Sequence, residues 1–254
     1  RIPVVVKLAV VRGPVGDLLE DDREDLLSRA SLAGAYADRE RVGCGHEAIL
    51  QEPAKKGGRS LGITVSKTEQ QICEQKGLEC VWSSWEDFDK VVQKSYPLAD
   101  SIIIVEVLLH MATLFENRVG LMDLRLQKLF SWCHGKLKKG GRLYIQDLGA
   151  DSCFVEQRKY HDTYQSIAER APIVGFPSIK QVIANSDPYF EVVEISNHSH
   201  DLLPTYYHFQ KRFKDNEGRL QQLLEPRLLE LLRMELDILT EMAEKNIMKL
   251  HRIV

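Results

Sequence analysis

The sequence predicts an α/β domain in which a mostly parallel sheet is covered by helices on both faces. From about residue 39 onward, short β-type runs alternate with helical patterns, which is typical of such a sheet. Residues 101–107 are β-branched and almost continuously hydrophobic, as expected of a central strand buried on both faces. The length of 254 residues suits one large domain with a substantial core.

Seven strands are predicted, and capping signals bound the helices between them. The predicted strands are residues 39–44, 59–65, 79–83, 101–107, 142–147, 190–196 and 246–254. The helix after the second strand begins at Ser66, with Glu69 at the spacing of a capping box, and ends at Gly77. A long helix over 115–137 ends at the basic and glycine-rich segment 138–141.

The remaining chain is predicted to be helical. Residues 1–38 are expected to form an N-terminal helical segment, and within the domain of residues 39–254 two cap segments are expected at about 151–178 and 201–245. In the second, apolar residues recur at three- and four-residue spacing: Leu228, Leu232, Leu236, Leu239 and Met242. This stripe indicates core packing or a subunit contact, and the alternative is the lining of an apolar cavity.

Composition and charge exclude several classes of partner. With 34 basic and 37 acidic residues the net charge is -3, which gives no overall attraction to nucleic acid or to an anionic membrane. The longest apolar stretch, 102–111, contains Glu106 and His110 and is much shorter than the roughly 20 residues of a membrane span. The near-neutral charge therefore favours a small-molecule partner. The five cysteines have no spacing that suits a metal, so we expect reduced thiols in a cytoplasmic protein.

Four segments at strand ends carry the functional signal. Residues 41–47, RVGCGHE, form a glycine turn between a strand and a helix, where close backbone approach makes a ligand cradle. The other three are GITVSKTEQ at 62–70, SWED at 84–87 and LKKGGR at 137–142. Together they resemble the class I S-adenosylmethionine-dependent methyltransferases.

Within that class, the chain resembles the branch that contains the cyclopropane fatty acid synthases and small-molecule methyltransferases. The segment GITVSKTEQ is similar to the GITLSxxQ segment of that branch, and Phe176-Pro177-Ser178 with residues 201–213 is similar to its C-terminal region. The resemblance covers about residues 39–213. It implies a Rossmann-like seven-stranded methyltransferase sheet with a helical cap over the acceptor site.

The resemblance also implies S-adenosylmethionine as cofactor and S-adenosylhomocysteine as product. The implied cofactor-binding residues are Gly43, Cys44 and Gly45 at the aminoacyl end, Thr64, Ser66 and Gln70 around the ribose, Ser84 and Trp85 at the adenine, and Glu106 near the end of the fourth strand. For Trp85, ordinary core packing is the alternative.

Two single residues and one three-residue segment depart from the pattern of that branch. Arg41 stands where the family has an acidic residue, and Glu47 stands where it has a third glycine. Leu108-Leu109-His110 stands in place of the aromatic-Glu-His triplet of the cyclopropane synthases. The missing carboxylate argues against cyclopropanation and favours methylation of a small molecule, as in natural-product tailoring.

The candidate catalytic residues are His110, Tyr206 and Tyr164, because imidazole and phenol groups serve as general bases or acceptor contacts. Tyr160, His161, Tyr207 and His208 stand in similar settings. A hydrogen-bonded core histidine and partly buried tyrosines are the alternatives.

Three functions stay open on the sequence alone. The first is methyl transfer to carbon or nitrogen of a small, largely apolar acceptor, such as a natural product, lipid or isoprenoid. The second is a binding or scaffolding subunit without transfer activity, which Arg41 and Glu47 motivate. The third is a cofactor-dependent cyclisation or rearrangement on the same fold. No nucleic acid or membrane span is expected, and homo-oligomerisation is left open.

Overall fold

The computed structural model describes residues 8–12, 50, 59–92, 97–150 and 175–254. The described elements, in chain order, are β1 (Leu8–Arg12), β2 (Arg59–Thr64), α1 (Lys67–Gln75), β3 (Cys80–Trp82), α2 (Phe88–Val92), β4 (Ala99–Val105), a 3₁₀ turn (Leu108–His110), α3 (Leu114–Arg118), α4 (Leu121–Lys136), β5 (Leu137–Ala150), α5 (Ile179–Ser186), β6 (Ile195–Asn197), a second 3₁₀ turn (Ser199–Asp201), α6 (Leu202–Asp215), α7 (Glu217–Leu223), α8 (Pro226–Glu244) and β7 (Met248–Ile253).

The strands form one sheet in the order β3-β2-β1-β4-β5-β7-β6. β2 is parallel to β3 and β4 is parallel to β5, whereas β7 runs antiparallel to β5 and β6. β1 lies between β2 and β4 and is antiparallel to both, with Leu8 opposite Ile63 and Ile104. β2 and β4 are therefore parallel to each other. The C-terminal ends of the parallel strands β2, β3, β4 and β5 therefore lie along one side of the sheet, which we call the carboxyl edge.

The predicted mixed α/β fold is confirmed, and six of the seven predicted strands are observed, although their bounds shift. The predicted first strand, 39–44, lies outside the described residues, so the predicted set of seven is not confirmed. The seventh strand of the sheet is Leu8–Arg12, within the N-terminal segment predicted as helical. Its sequence, LAVVR, favours a strand through its paired valines, and the edges of β2 and β4 supply hydrogen-bond partners on both sides.

The predicted helix over 115–137 is two helices. Thr113 and Glu116 form a capping box that begins α3, and Gly120, at φ 80°, separates α3 from α4. The basic segment predicted to end this helix belongs instead to β5, which begins at Leu137 directly after α4.

The predicted sixth strand is also shorter than expected, because Val193 and Glu194 both donate their N–H groups to the carbonyl of Val254 before the regular ladder begins.

The predicted bounds of α1 agree with the structure. The Ser66 hydroxyl accepts the N–H of Glu69 at 3.3 Å, and the helix ends before Gly77, at φ 71°. Leu78 N–H donates to the carbonyl of Cys73, which satisfies an acceptor of the last turn. Glu69 does not complete the capping box, because its carboxylate accepts the Thr64 hydroxyl.

The main core lies between the sheet and helix α4. Ile102 and Ile104 of β4 are fully buried, and so are Leu126 and Phe130 of α4. Neighbouring Ile103 on the opposite side of β4 is also buried. Burial of β4 on both faces confirms the prediction made from its unbroken hydrophobicity.

A second apolar cluster joins the carboxyl edge to the C-terminal helices. It contains Leu109 after β4 and Met248 of β7, together with residues of α6 and α8 such as Tyr206, Leu236 and Met242. The predicted stripe of α8 therefore takes part in core packing, and this cluster places α6 and α8 beside the ends of β4 and β5.

A segment entering α5 crosses close to the sheet at Gly149. A Cβ atom at Gly149 would lie 2.5 Å from the carbonyl oxygen of Pro177. Gly175 N–H donates to the carbonyl of Leu109 at 2.7 Å, and the Asn117 amide donates to the carbonyl of Gly175 at 2.7 Å. A side chain at residue 149 would push this segment away from the strand.

Gly149→Ala is expected to lower the free energy of unfolding by about 2 kcal/mol, because backbone atoms must move to admit the methyl group. Chemical denaturation of parent and variant measures the difference. Gly218→Ala is the matched control, since Gly218 is helical with open space where a Cβ would stand. The control is expected to change stability by less than about 1 kcal/mol, in the stabilising direction. Equal effects of the two variants would contradict the close approach.

Candidate functional site

Polar side chains collect at the end of β2. The buried Thr64 hydroxyl donates to Oε2 of Glu69 at 2.6 Å and accepts the N–H of Ser66 at 3.1 Å. The Glu69 side chain is itself buried. Thr64 and Ser66, both predicted ribose contacts, are thus held beside a carboxylate, whereas the amide of Gln70 bonds to Glu74 on the exposed side of α1.

The end of β3 carries two indoles with different surroundings. Trp85 is buried, and it meets Trp132 edge to face with ring centroids 6.1 Å apart. Trp82 is 52% exposed, and its Nε1 donates to the carbonyl of Val65 at 2.9 Å. Ser84 bonds to Asp87 at the start of α2. The adenine roles of Ser84 and Trp85 stay predictions, and Trp82 is a second aromatic surface next to the end of β2.

The chain turns sharply where β4 ends. Glu106 has φ 52°, a left-handed conformation that a non-glycine residue rarely adopts. The N–H of Glu106 donates to the carbonyl of Gln146, so the backbone of Glu106 is still hydrogen-bonded to β5. A 3₁₀ turn follows and ends at the half-buried His110, whose N–H donates to the carbonyl of Val107. Predicted cofactor residue Glu106 and predicted catalytic residue His110 therefore flank one short turn at the carboxyl edge.

Asp147 of β5 organises that turn. Its Oδ2 accepts the N–H groups of Val107 and Leu108 at 2.7 and 2.6 Å, and its Oδ1 accepts the N–H of Leu109 at 3.3 Å. Burial raises the pKa of Asp147 to about 7, the three N–H donors oppose that rise, and the charge of Glu106 adds to it. The carboxyl group therefore titrates close to neutral pH.

The predicted catalytic residue Tyr206 lies in the second apolar cluster. It is buried, and its hydroxyl contacts Sδ of Met248 at 3.8 Å. Met248 pairs with Ala150 at the end of β5, so Tyr206 is near the same edge of the sheet as Asp147. Its catalytic role stays a prediction.

Several predicted site residues lie outside the described residues. These are Gly43, Cys44 and Gly45 of the glycine turn, with Arg41 and Glu47, and Tyr160, His161 and Tyr164 of the first cap segment. Their roles stay predictions. Within the described ranges, no group of histidine, cysteine and acidic residues could hold a metal ion. No helix in that part of the chain has the length and hydrophobicity needed to cross a bilayer.

Two acidic residues were not predicted as site residues. Glu69 was interpreted only as a helix cap, because its spacing from Ser66 explained it fully. Asp147 was interpreted only as the end of the fifth strand. An ionisable residue at the end of an apolar strand, as in YIQDL, is the signal that could have identified it.

The fold is shared with known methyltransferases. The chain is similar to the cyclopropane synthase MmaA2 from Mycobacterium tuberculosis, with 11% identity and a TM-score of 0.62 over 76% of this chain and 68% of that one. It is similar to coclaurine N-methyltransferase bound to N-methylheliamine and S-adenosylhomocysteine, with 17% identity and a TM-score of 0.58 over 83% and 65%.

It is also similar to geranyl diphosphate methyltransferase in complex with S-adenosylmethionine, with 12% identity and a TM-score of 0.55 over 91% and 82% of the two chains. No known family model matches the chain. No curated protein matches it either. These likenesses agree with the class predicted from the sequence, and at such low identity they show a shared fold.

The free energy of unfolding is expected to depend on pH through Asp147. A pKa near 7 in the folded state, above the ordinary carboxyl value, means that the folded protein binds this proton more tightly than the unfolded chain. The contribution of this proton to the free energy of unfolding is fully present below about pH 4 and is lost as pH rises to about 7. When the pH is lowered from 7.5 to 5.5, the free energy of unfolding of the parent should therefore rise by about 2 kcal/mol relative to that of Asp147→Asn. Denaturation of both proteins at the two pH values measures this, and a gain in the opposite direction would show that the N–H donors outweigh burial.

Proposed function

We propose that this chain is an S-adenosylmethionine-dependent methyltransferase that acts on a small, largely apolar acceptor. The main observation is that Glu69, Glu106 and His110 lie along one carboxyl edge, in a fold similar to that of solved methyltransferases. Ligands of open α/β sheets bind beyond the carboxyl ends of the strands. The similar coclaurine N-methyltransferase and geranyl diphosphate methyltransferase structures contain S-adenosylhomocysteine and S-adenosylmethionine, respectively.

The polar groups of the edge suit this cofactor chemically. The Glu69 carboxylate and the Thr64 hydroxyl can hydrogen-bond to ribose hydroxyls. The Glu106 carboxylate has the charge to bind an ammonium group, and the indole of Trp82 or Trp85 offers an aromatic face to a purine. The glycine turn at 43–45 remains the predicted contact of the aminoacyl end.

The bound cofactor would supply an activated methyl group, so the protein's task is alignment and exclusion of water. Glu106 and His110 would be held by the turn after β4 at the place where cofactor and acceptor meet. His110 could accept a proton from the acceptor at a ring nitrogen. The second apolar cluster, with Leu109 and Tyr206, would provide a water-poor wall for an apolar acceptor.

Carbon or nitrogen methylation in natural-product, lipid or isoprenoid biosynthesis is the activity that we favour. Leu109 is almost fully buried at the position where cyclopropane synthases are expected to carry a carboxylate, which argues for methylation over cyclopropanation. The thiols of Cys80 and Cys133 are free, which fits a reducing compartment such as the cytoplasm.

A scaffolding or binding subunit is the second candidate function. The central position of the sheet is held by β1, which runs antiparallel to its neighbours. In a methyltransferase of this fold, that position is expected for the parallel strand that leads into the glycine turn. A cofactor-dependent cyclisation would need the same groups as methyl transfer and is separated from it only by its product.

S-adenosylhomocysteine is expected to bind and to raise the melting temperature, because ligand at about 100 times its Kd stabilises a protein by roughly 2.7 kcal/mol. Calorimetry and thermal unfolding measure this. Gly45→Val should block binding, since a side chain would obstruct the backbone approach, whereas Gly218→Val on an exposed helix should not. No binding at millimolar ligand would favour the scaffold function.

Incubation of small-molecule extracts with methyl-labelled cofactor then identifies the reaction. A labelled product heavier by about 14 mass units, one CH₂, would establish methyl transfer to that acceptor class. An unlabelled, rearranged product would instead support the cyclisation alternative.

Glu69→Gln is expected to weaken binding of S-adenosylhomocysteine about tenfold, because a charged acceptor of hydroxyl hydrogen bonds is replaced by a neutral one. Calorimetry at fixed pH measures the change. Glu79→Gln is the matched control, since Glu79 is exposed and pairs with Arg59 at the start of β2, away from the carboxyl edge. If both variants bind as the parent does, Glu69 is only a structural partner of Thr64.

A further inference from the structure

The turn after β4 contains three consecutive buried residues whose N–H groups point to one side chain. Val107 and Leu108 are fully buried and Leu109 is nearly so. Their N–H groups all donate to the carboxylate of Asp147, on the neighbouring strand β5. Buried N–H groups without a hydrogen-bond partner are strongly unfavourable, so this conformation of the turn depends on the carboxylate.

The same turn carries the two groups that the proposed function uses. Glu106 directly precedes the three residues and is held in the left-handed conformation, while His110 directly follows them. A left-handed glutamate is strained, and surrounding contacts must maintain it. The carbonyl of Leu109 also accepts the N–H of Gly175, which ties the turn to the segment that enters α5.

We propose that Asp147 is a positioning residue that fixes Glu106 and His110 at the carboxyl edge by binding the three N–H groups between them. It acts through the turn and touches neither cofactor nor acceptor. This inference rests on the proposed function, since it assumes that Glu106 contacts the cofactor.

Ionisation of Asp147 then controls the turn. The ionised carboxylate accepts at both oxygens, whereas the protonated group must turn one oxygen into a donor and lose part of this arrangement. Two ionisable groups face it from the elements packed against it, Glu106 after β4 and His251 opposite it on β7. The segment above it contributes apolar Pro177, Ile179 and Val182.

The first test is backbone hydrogen exchange of the parent and Asp147→Asn. An asparagine has one accepting oxygen, and its amide group would face a backbone donor. Protection of the amides of Val107, Leu108 and Leu109 should fall about tenfold or more, while that of Ile103 and Ile145 in the adjoining strands stays unchanged. The matched control, Asp187→Asn at the exposed C-terminus of α5, should leave all five unchanged. Unchanged protection at 107–109 in the folded variant would overturn the proposal.

The second test is the affinity for S-adenosylhomocysteine at pH 8 and pH 6. If only the ionised form holds the turn, the Kd of the parent should rise about tenfold between these values, because the competent fraction falls by that factor. Asp147→Asn should bind about tenfold more weakly than the parent at pH 8 and show no such pH dependence. A variant with the parent's affinity and pH profile would contradict the positioning role.

The proposal can still be tested if the variant does not fold or if the protein does not bind S-adenosylhomocysteine. If Asp147→Asn does not fold, exchange of the parent alone is compared at pH 8 and 6 after correction for intrinsic rates. Selective loss of protection at 107–109 at the lower pH then supports the proposal, and uniform protection overturns it. If neither protein binds S-adenosylhomocysteine but the exchange pattern holds, the role of Asp147 in the turn stands and the proposed function fails.

Discussion

The carboxylate of Asp147 is the interaction on which the carboxyl edge depends. β4 is buried on both faces, so the chain that leaves it must turn inside the protein, where water cannot satisfy its N–H groups. A single acidic side chain supplies three hydrogen bonds there. Burying that charge is unfavourable, which is why the pKa of Asp147 rises to about 7. The buried carboxylate thus lowers the stability of the fold, but it defines the backbone conformation of the turn at the site.

A second polar network fixes helix α5 and the segment from Gly175 that leads into it. Asn185 donates to Asp123 of α4 at 2.7 Å, and Gln181 donates to Asn117 at 2.8 Å. Asn117 in turn holds the carbonyl of Gly175. Hydrogen bonds of this kind are directional, so they fix the register of α5 against α4 more tightly than apolar contacts alone would. The edge is therefore held from β5 on one side and from α5 on the other.

Local patterns predicted most of the fold. The unbroken hydrophobicity of β4 identified a central strand, and Ser66 with Gly77 fixed the bounds of α1, because these signals act over a few residues. The strand Leu8–Arg12 was missed because a short run of valines does not identify its partners, which lie far along the chain. The role of Asp147 was missed for a related reason: its hydrogen-bond partners are about 40 residues earlier, and no spacing rule links them. Glu106 and His110 both lie at the carboxyl edge because both follow one buried strand, and their roles stay predictions.

The antiparallel strand β1 has a consequence for folding. Among the described strands, β1 alone hydrogen-bonds to both halves of the sheet, β3-β2 on one side and β4-β5-β7-β6 on the other. Its partners Ile63 and Ile104 are distant in sequence from Leu8, and contacts of such long range form slowly. A chain in which β1 has not yet docked exposes the edges of β2 and β4 at the same time. Both edges carry unpaired backbone groups until then, and β4 is strongly hydrophobic, so an undocked β1 leaves the chain open to pairing with other chains.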